Sequence, residues 1–175
     1  MKNRGIFISF EGPEASGKSS QIILLKKYFK SKQIPFIITR EPGGTKLGEK
    51  LRNLILNNKS NLKKLEKIIH PLVRKKMKKF TLDNKSKKIL FYEIPLLIES
   101  KLMRFFNVVI FIKSKKQLRF KRFKLKKGNK TLFNLLNSKQ MSDRKKIRFC
   151  HHVVVNEKNL KFLKSKLLSI ISKYE

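Results

Sequence analysis

With 175 residues, 40 % of them hydrophobic, and Cys150 as the one cysteine, the chain is long and apolar enough for one domain (1–175), which excludes a disordered or disulfide-stapled protein. No apolar run approaches the ~18 residues of a membrane span, and Glu11 cuts the N-terminal apolar stretch too short for a signal peptide, so a soluble, cytoplasmic chain is expected. The formal charge of +34 comes from 36 lysines and nine arginines spread along the sequence, which points to background composition and no specific nucleic-acid reader, while favouring anionic small-molecule substrates.

In chain order, "IFISF" at 6–10 reads as a buried strand, followed by Gly12-Pro13-Glu14-Ala15-Ser16-Gly17-Lys18-Ser19 and a helix opening at Ser19. "PFIIT" at 35–39 is a second strand, ended by the turn Arg40-Glu41-Pro42-Gly43-Gly44. Residues 47–56 read as a helix, 57–61 as a polar break, and 62–80 as a helix bent or restarted at Pro71. "KILFYEI" at 88–94 is a third strand, followed by a short helical stretch through Arg104, and "NVVIFI" at 107–112 is a fourth. A basic helix at 114–127, a break at Gly128-Asn129, a helix at 132–149, a fifth strand at 151–156 and a terminal amphipathic helix complete the chain. Alternating strands and helices predict right-handed crossovers and a five-stranded parallel sheet covered on both faces, a three-layer α/β/α domain.

The stretch from Gly12 to Ser19 has the spacing of a phosphate loop, which makes the expected architecture a three-layer α/β/α P-loop fold, with the basic helices about Gly128-Asn129 as a helical lid. Its glycines bring backbone N–H groups to phosphate oxygens, Lys18 reaches the β- and γ-phosphates, and the Ser19 hydroxyl can ligate Mg²⁺. The helix N-terminus, through Ser20, adds its positive end. ATP and Mg²⁺ are therefore the expected cofactors. The loop contains no arginine, so the charge on a moving phosphoryl group has to be met from a lid, where Arg119, Arg122, Arg144 and Arg148 flank Gly128-Asn129. Arg122 and Arg144 are the catalytic candidates of that set.

A carboxylate is also needed, to orient an acceptor hydroxyl or the magnesium. Glu41 at the mouth of the second strand and Glu93 at the end of the third both lie where a parallel sheet meets its ligand. Glu41 is the candidate base and Glu93 a candidate for holding magnesium through water on the acceptor side; Glu99 is a weaker candidate, and Glu11 is read as supporting the loop from inside. Cys150, His151 and His152 are consecutive, and in a strand the two histidines face opposite sides, which disfavours zinc.

Residues 5–56, "GIFISFEGPEASGKSSQ…ITREPGGTKLGEKLRNLIL", resemble the opening of a bacterial thymidylate kinase. That resemblance implies that Arg40 and Glu41 lie near the acceptor phosphate. The Asp-Arg strand end that such kinases carry next is absent. Residues 62–175 resemble the second part of a dephospho-coenzyme A kinase, through "LEKIIHPLVR", "EIPLLIES", "QLRFKRF", "NSKQMSDRKK" and "VVVN". This second resemblance implies that His70 and Arg74 line the coenzyme side, that the stretch from Arg119 to Arg144 builds the lid, and that Asn156 approaches the adenine of ATP. Arg40-Glu41-Pro42 stands where that family has Asp-Ala-Asp, and His151 where it has an aspartate. The chain thus looks like a hybrid joined near "LILNNKSNLKK". The expected function is ATP-dependent phosphorylation of dephospho-coenzyme A at its 3′-hydroxyl. Thymidylate (dTMP) kinase and an inactive hybrid that binds only ATP or polyanions are the alternatives.

Overall fold

The computed structural model describes residues 5–40, 71, 74–94 and 96–174. Within them the chain runs β1 (Ile6–Glu11), α1 (Lys18–Ser31), β2 (Phe36–Arg40), a helical stretch over 74–83, β3 (Ile89–Glu93) and β4 (Val108–Lys113). It continues through α2 (Lys116–Leu125), α3 (Lys130–Ser138), α4 (Asp143–Ile147), β5 (His152–Val155) and α5 (Leu160–Ile171).

All strand pairings are parallel, in the order β2-β3-β1-β4-β5. The register sets Phe10 opposite Glu93, Glu93 opposite Arg40, and Glu11 opposite Phe111, so the C-terminal strand ends share one edge. The three central strands are apolar on both faces because both are covered. On one face Ile8, Phe10, Phe91 and Ile110 pack against Leu25 and Phe29 of α1 and Leu163 and Leu167 of α5. On the other, Phe7, Leu90, Tyr92 and Val109 pack against Met77, Leu97, Leu102 and Phe106. Each such side chain contributes about 1.5–3 kcal/mol of burial. The Tyr92 hydroxyl donates to the Met77 carbonyl at 3.1 Å, which ties the 74–83 helical stretch to β3. β5 is an edge strand: Val154 faces the core while Val153 and Val155 are exposed.

Two sequence expectations change. The helix expected over 132–149 is two helices, α3 and α4, separated by a turn at 139–142, because Ser142-Asp143 begins a new helix after Gln140 and Met141. The stretch leading to Arg104 is a run of turns over 96–101 and a single 3₁₀ turn at Met103–Phe105, with Leu96 and Lys101 both in the left-handed region (φ 55°). The helix expected at 47–56, the polar break at 57–61 with the join near "LILNNKSNLKK", and the beginning of the 62–80 helix lie outside the described residues.

Candidate active site

β1 ends at Glu11 and hands the chain to a tight loop that leads into α1. Gly12 and Gly17 make this loop possible. A Cβ on Gly12 (φ 149°) would come within 2.6 Å of the Ile112 carbonyl, and one on Gly17 (φ 105°) would be driven into the Asn156 amide. Both glycines also hold backbone angles that L-residues avoid. Glu11 supports the loop from beneath, as expected: its Oε1 accepts from the Gly12 N–H at 2.9 Å, and its Oε2 from the Leu97 N–H at 3.0 Å.

Lys18 folds back over the loop, donating to the Gly12 carbonyl at 2.6 Å and the Pro13 carbonyl at 3.2 Å. Burial pushes its pKa below the ordinary lysine value, against the opposing pull of Glu14, Glu11 and Glu93. The Ser16 hydroxyl is buried inside the loop with no partner among the described residues. These features suit a polyanion. An ammonium that now borrows loop carbonyls, an orphaned hydroxyl and a cradle too narrow for a Cβ are what β- and γ-phosphates would engage. The Ser19 hydroxyl donates to Glu93 Oε1 at 3.3 Å, so a hydroxyl and a carboxylate oxygen meet at the loop's edge. That all-oxygen pair fits a hard cation such as Mg²⁺. Ser20 is exposed on α1, one residue further on.

The far wall is built from β5 and α2. Asn156, buried just beyond β5, donates from Nδ2 to the Ser16 carbonyl at 2.7 Å, and its own carbonyl accepts from the Ser114 hydroxyl at 3.1 Å and Arg122 Nη2 at 3.0 Å. Arg122 therefore reaches Asn156 and Ser114. Among the described residues, Arg119 is the arginine that touches the loop, through Nη1 to the Glu14 carbonyl at 3.3 Å and to Asn137 Oδ1 at 2.8 Å. Burial lowers its pKa, with Asp143 and Glu14 acting in the opposite direction; a guanidinium keeps its charge regardless. Asn137 sits on α3, so this bond ties the second lid helix to the loop.

The structure thus gathers Gly12 to Ser19, Glu93, Asn156 and Arg122 at one edge of the sheet. Arg144 is exposed on α4. Arg74 lines a cavity with Gly5, Ile6 and Asn107, at the opening ends of β1 and β4, and so is not brought to the loop. The β2 register carries the Arg40 backbone to the ligand edge, whereas Glu41 and His70 lie outside the described residues. His151 and His152 do diverge: His151 Nδ1 accepts from the Val109 N–H at 3.0 Å, and His152 Nε2 meets the Tyr174 hydroxyl at 2.6 Å.

Sequence reasoning did not single out Lys146. This buried lysine is 2.6 Å from Glu11 and 2.9 Å from Glu99. It closes the "NSKQMSDRKK" stretch that carries part of the second resemblance, but no role was read for it there.

The dephospho-CoA kinase family model matches residues 15–161, most of the chain. The chain belongs to the dephospho-CoA kinase family. Curated relatives of another kind match a shorter stretch. The thymidylate kinase of Carboxydothermus hydrogenoformans is 59 % identical over 54 residues, which is 31 % of this chain and 27 % of that protein. That of Thermosipho africanus is 48 % identical over 64 residues, 37 % and 32 % respectively. The chain thus spans about a third or less of the curated relatives it matches. Among solved structures, the Thermus thermophilus protein TT1252 superposes with a TM-score of 0.74 at 21 % identity, covering 97 % of this chain and 98 % of that one. Thymidylate kinase from Ehrlichia chaffeensis superposes at 0.58 and 18 % identity, covering 97 % and 99 %. These likenesses show the P-loop kinase fold. The family model and the thymidylate kinase relatives together give the dephospho-CoA kinase family member its two resemblances.

Proposed function

We propose that the chain is an ATP-dependent kinase that phosphorylates the 3′-hydroxyl of dephospho-coenzyme A. The observation carrying this reading is the family match over 15–161, which takes in the phosphate loop from Ala15 onward, the lid helices and β5. In this reading the loop from Gly12 to Ser20 binds ATP, with Asn156 beside the base. Lys18 and Arg119 meet charge on the transferred group, and Arg122 and Arg144 are the further lid arginines. Ser19 and Glu93 would hold Mg²⁺, which when bound offsets phosphate charge. Glu41 orients the acceptor hydroxyl, with Arg40 and His70 on the acceptor side. Arg74 stays out of this reading because it lies at the opposite end of the sheet. The lid formed by α2 and α3 closes over the nucleotide and excludes water. An ATP-using enzyme with a single cysteine and so no internal disulfide suits the cytoplasm.

Thymidylate as the acceptor is the second reading, favoured by the 59 % identity to a thymidylate kinase over 54 residues. The deciding experiment offers dephospho-coenzyme A and thymidylate separately to the purified chain and follows ATP consumption, with Lys18→Ala as background. Turnover on dephospho-coenzyme A supports the proposal. Turnover on thymidylate alone refutes it, and silence on both with ATP still bound favours the inactive hybrid.

A further inference from the structure

In so basic a chain, a lysine deep in the interior needs a reason. The side chain of Lys146, on α4, is fully buried. An ammonium has three protons to donate, and three acceptors meet this one: Glu11 Oε1 at 2.6 Å, Glu99 Oε1 at 2.9 Å, and Gln140 Oε1. The two carboxylates are each engaged elsewhere as well. Glu11 holds the Gly12 and Leu97 N–H groups, and Glu99 Oε1 accepts from the Met141 N–H at 2.7 Å. Four segments therefore meet on one charge: the first peptide of the phosphate loop, the turn after β3, the 139–142 link and α4.

These segments divide by task. Glu11 and Gly12 belong to the part that grips phosphate. Gln140 and Met141 form the link from which α3 is hung, and α3 carries Asn137, the partner of Arg119. We propose that Lys146 is a positioning residue that registers the closing lid on the phosphate loop. The inference rests on the kinase reading above, in which α2 and α3 close over ATP. Separating a buried ammonium from its carboxylates is costly. The link is therefore pinned relative to Gly12, and the lid swings about that pinned point rather than sliding across the loop.

An ion cluster that merely supported the fold would affect ATP affinity and lid closure together. The test separates them. ATP affinity is read with a fluorescent ATP analogue. Closure is read as ATP-dependent protection of the 126–130 turn from trypsin, with cuts mapped by mass spectrometry. Two variants are compared with the unaltered protein: Lys146→Met, which keeps the stem without the charge, and Gln140→Leu, which removes the lid-side acceptor and leaves both carboxylates on the ammonium. In both, affinity should stay within about fivefold while protection falls by about tenfold or more, the range expected for coupling between distinct sites. If Lys146→Met does not fold, Gln140→Leu decides alone. Unchanged protection in Gln140→Leu, or protection that falls only in proportion to affinity, overturns the inference. If the unaltered chain binds ATP without protection, the lid role is refuted while the phosphate loop stands; if it binds no ATP, the kinase reading falls and takes the inference with it.

Discussion

Replacing Gly17 with alanine tests the loop at its tightest point. Gly17 holds φ 105°, and its missing Cβ leaves the space that the Asn156 amide fills. An alanine there carries backbone strain of about 1–3 kcal/mol. It also forces Asn156 aside, and Asn156 has little freedom: its N–H is fixed to the Lys113 carbonyl at 2.8 Å, so the side chain must surrender the 2.7 Å bond to the Ser16 carbonyl. Leaving those buried groups unpaired costs about 1–3 kcal/mol more. The total, about 2–6 kcal/mol, corresponds to a Tm lower by about 5–20 °C for a chain of this size. The assay is thermal unfolding of Gly17→Ala, Asn156→Ala and the double variant. Once Asn156 is truncated the steric part disappears, so Gly17→Ala should then cost about 1–3 kcal/mol less than in the unaltered chain. An equal cost in both backgrounds would refute the claim that Asn156 is what the glycine makes room for.

Glu93→Gln should raise the Mg²⁺ concentration needed for half-maximal nucleotide binding by about 10–100-fold, read by titrating Mg²⁺ against a fluorescent ATP analogue; an unchanged midpoint removes Glu93 from the cation site. Burial, with a further push from Glu11 opposed by Lys146, raises the Cys150 thiol to about 12. Alkylation by iodoacetamide at pH 8 should therefore be about a hundredfold or more slower in the folded protein than in denaturant, and equal rates would contradict that burial. Burial first, then the charges of Lys173 and His151, hold the His152 imidazole below its ordinary value. The unfolded chain takes up that proton near pH 6.5 and the folded one only at lower pH, so stability should fall as pH drops through that window. Denaturant midpoints from pH 8 to 5 should flatten in His152→Gln, and an identical slope would assign the loss to other groups.

The sheet was legible because its strands are short, continuous apolar runs bounded by turn residues. All five appear within a residue or so of their expected limits. The phosphate loop was legible for a similar reason, since its spacing admits few other uses. The split between α3 and α4 was missed although Ser142-Asp143 is an ordinary helix start. The apolar residues on either side kept a helical spacing that hid the turn. Pattern also could not tell Arg119 from Arg122. Both lie on α2, and their separation by three residues aims one at the Glu14 carbonyl and the other at Asn156. Lys146 was the least legible of all, because outside the phosphate loop the lysine excess had been put down to background composition. What distinguishes it are acceptors 135 and 47 positions away in sequence, Glu11 and Glu99.

That distance also spans the two resemblances. Glu11 stands in the stretch that resembles thymidylate kinases, whereas Glu99 and Lys146 stand in the stretch that resembles dephospho-coenzyme A kinases. An exchange of the opening segment for one lacking a carboxylate at position 11 would leave the buried Lys146 ammonium with Glu99 and Gln140 alone and the Gly12 N–H without its acceptor, a defect on the order of 1–3 kcal/mol against the ~5–15 kcal/mol that holds a typical domain together. The two stretches are chemically interlocked at that point: a variant given a different opening segment keeps a carboxylate at position 11 for Lys146, or it loses stability.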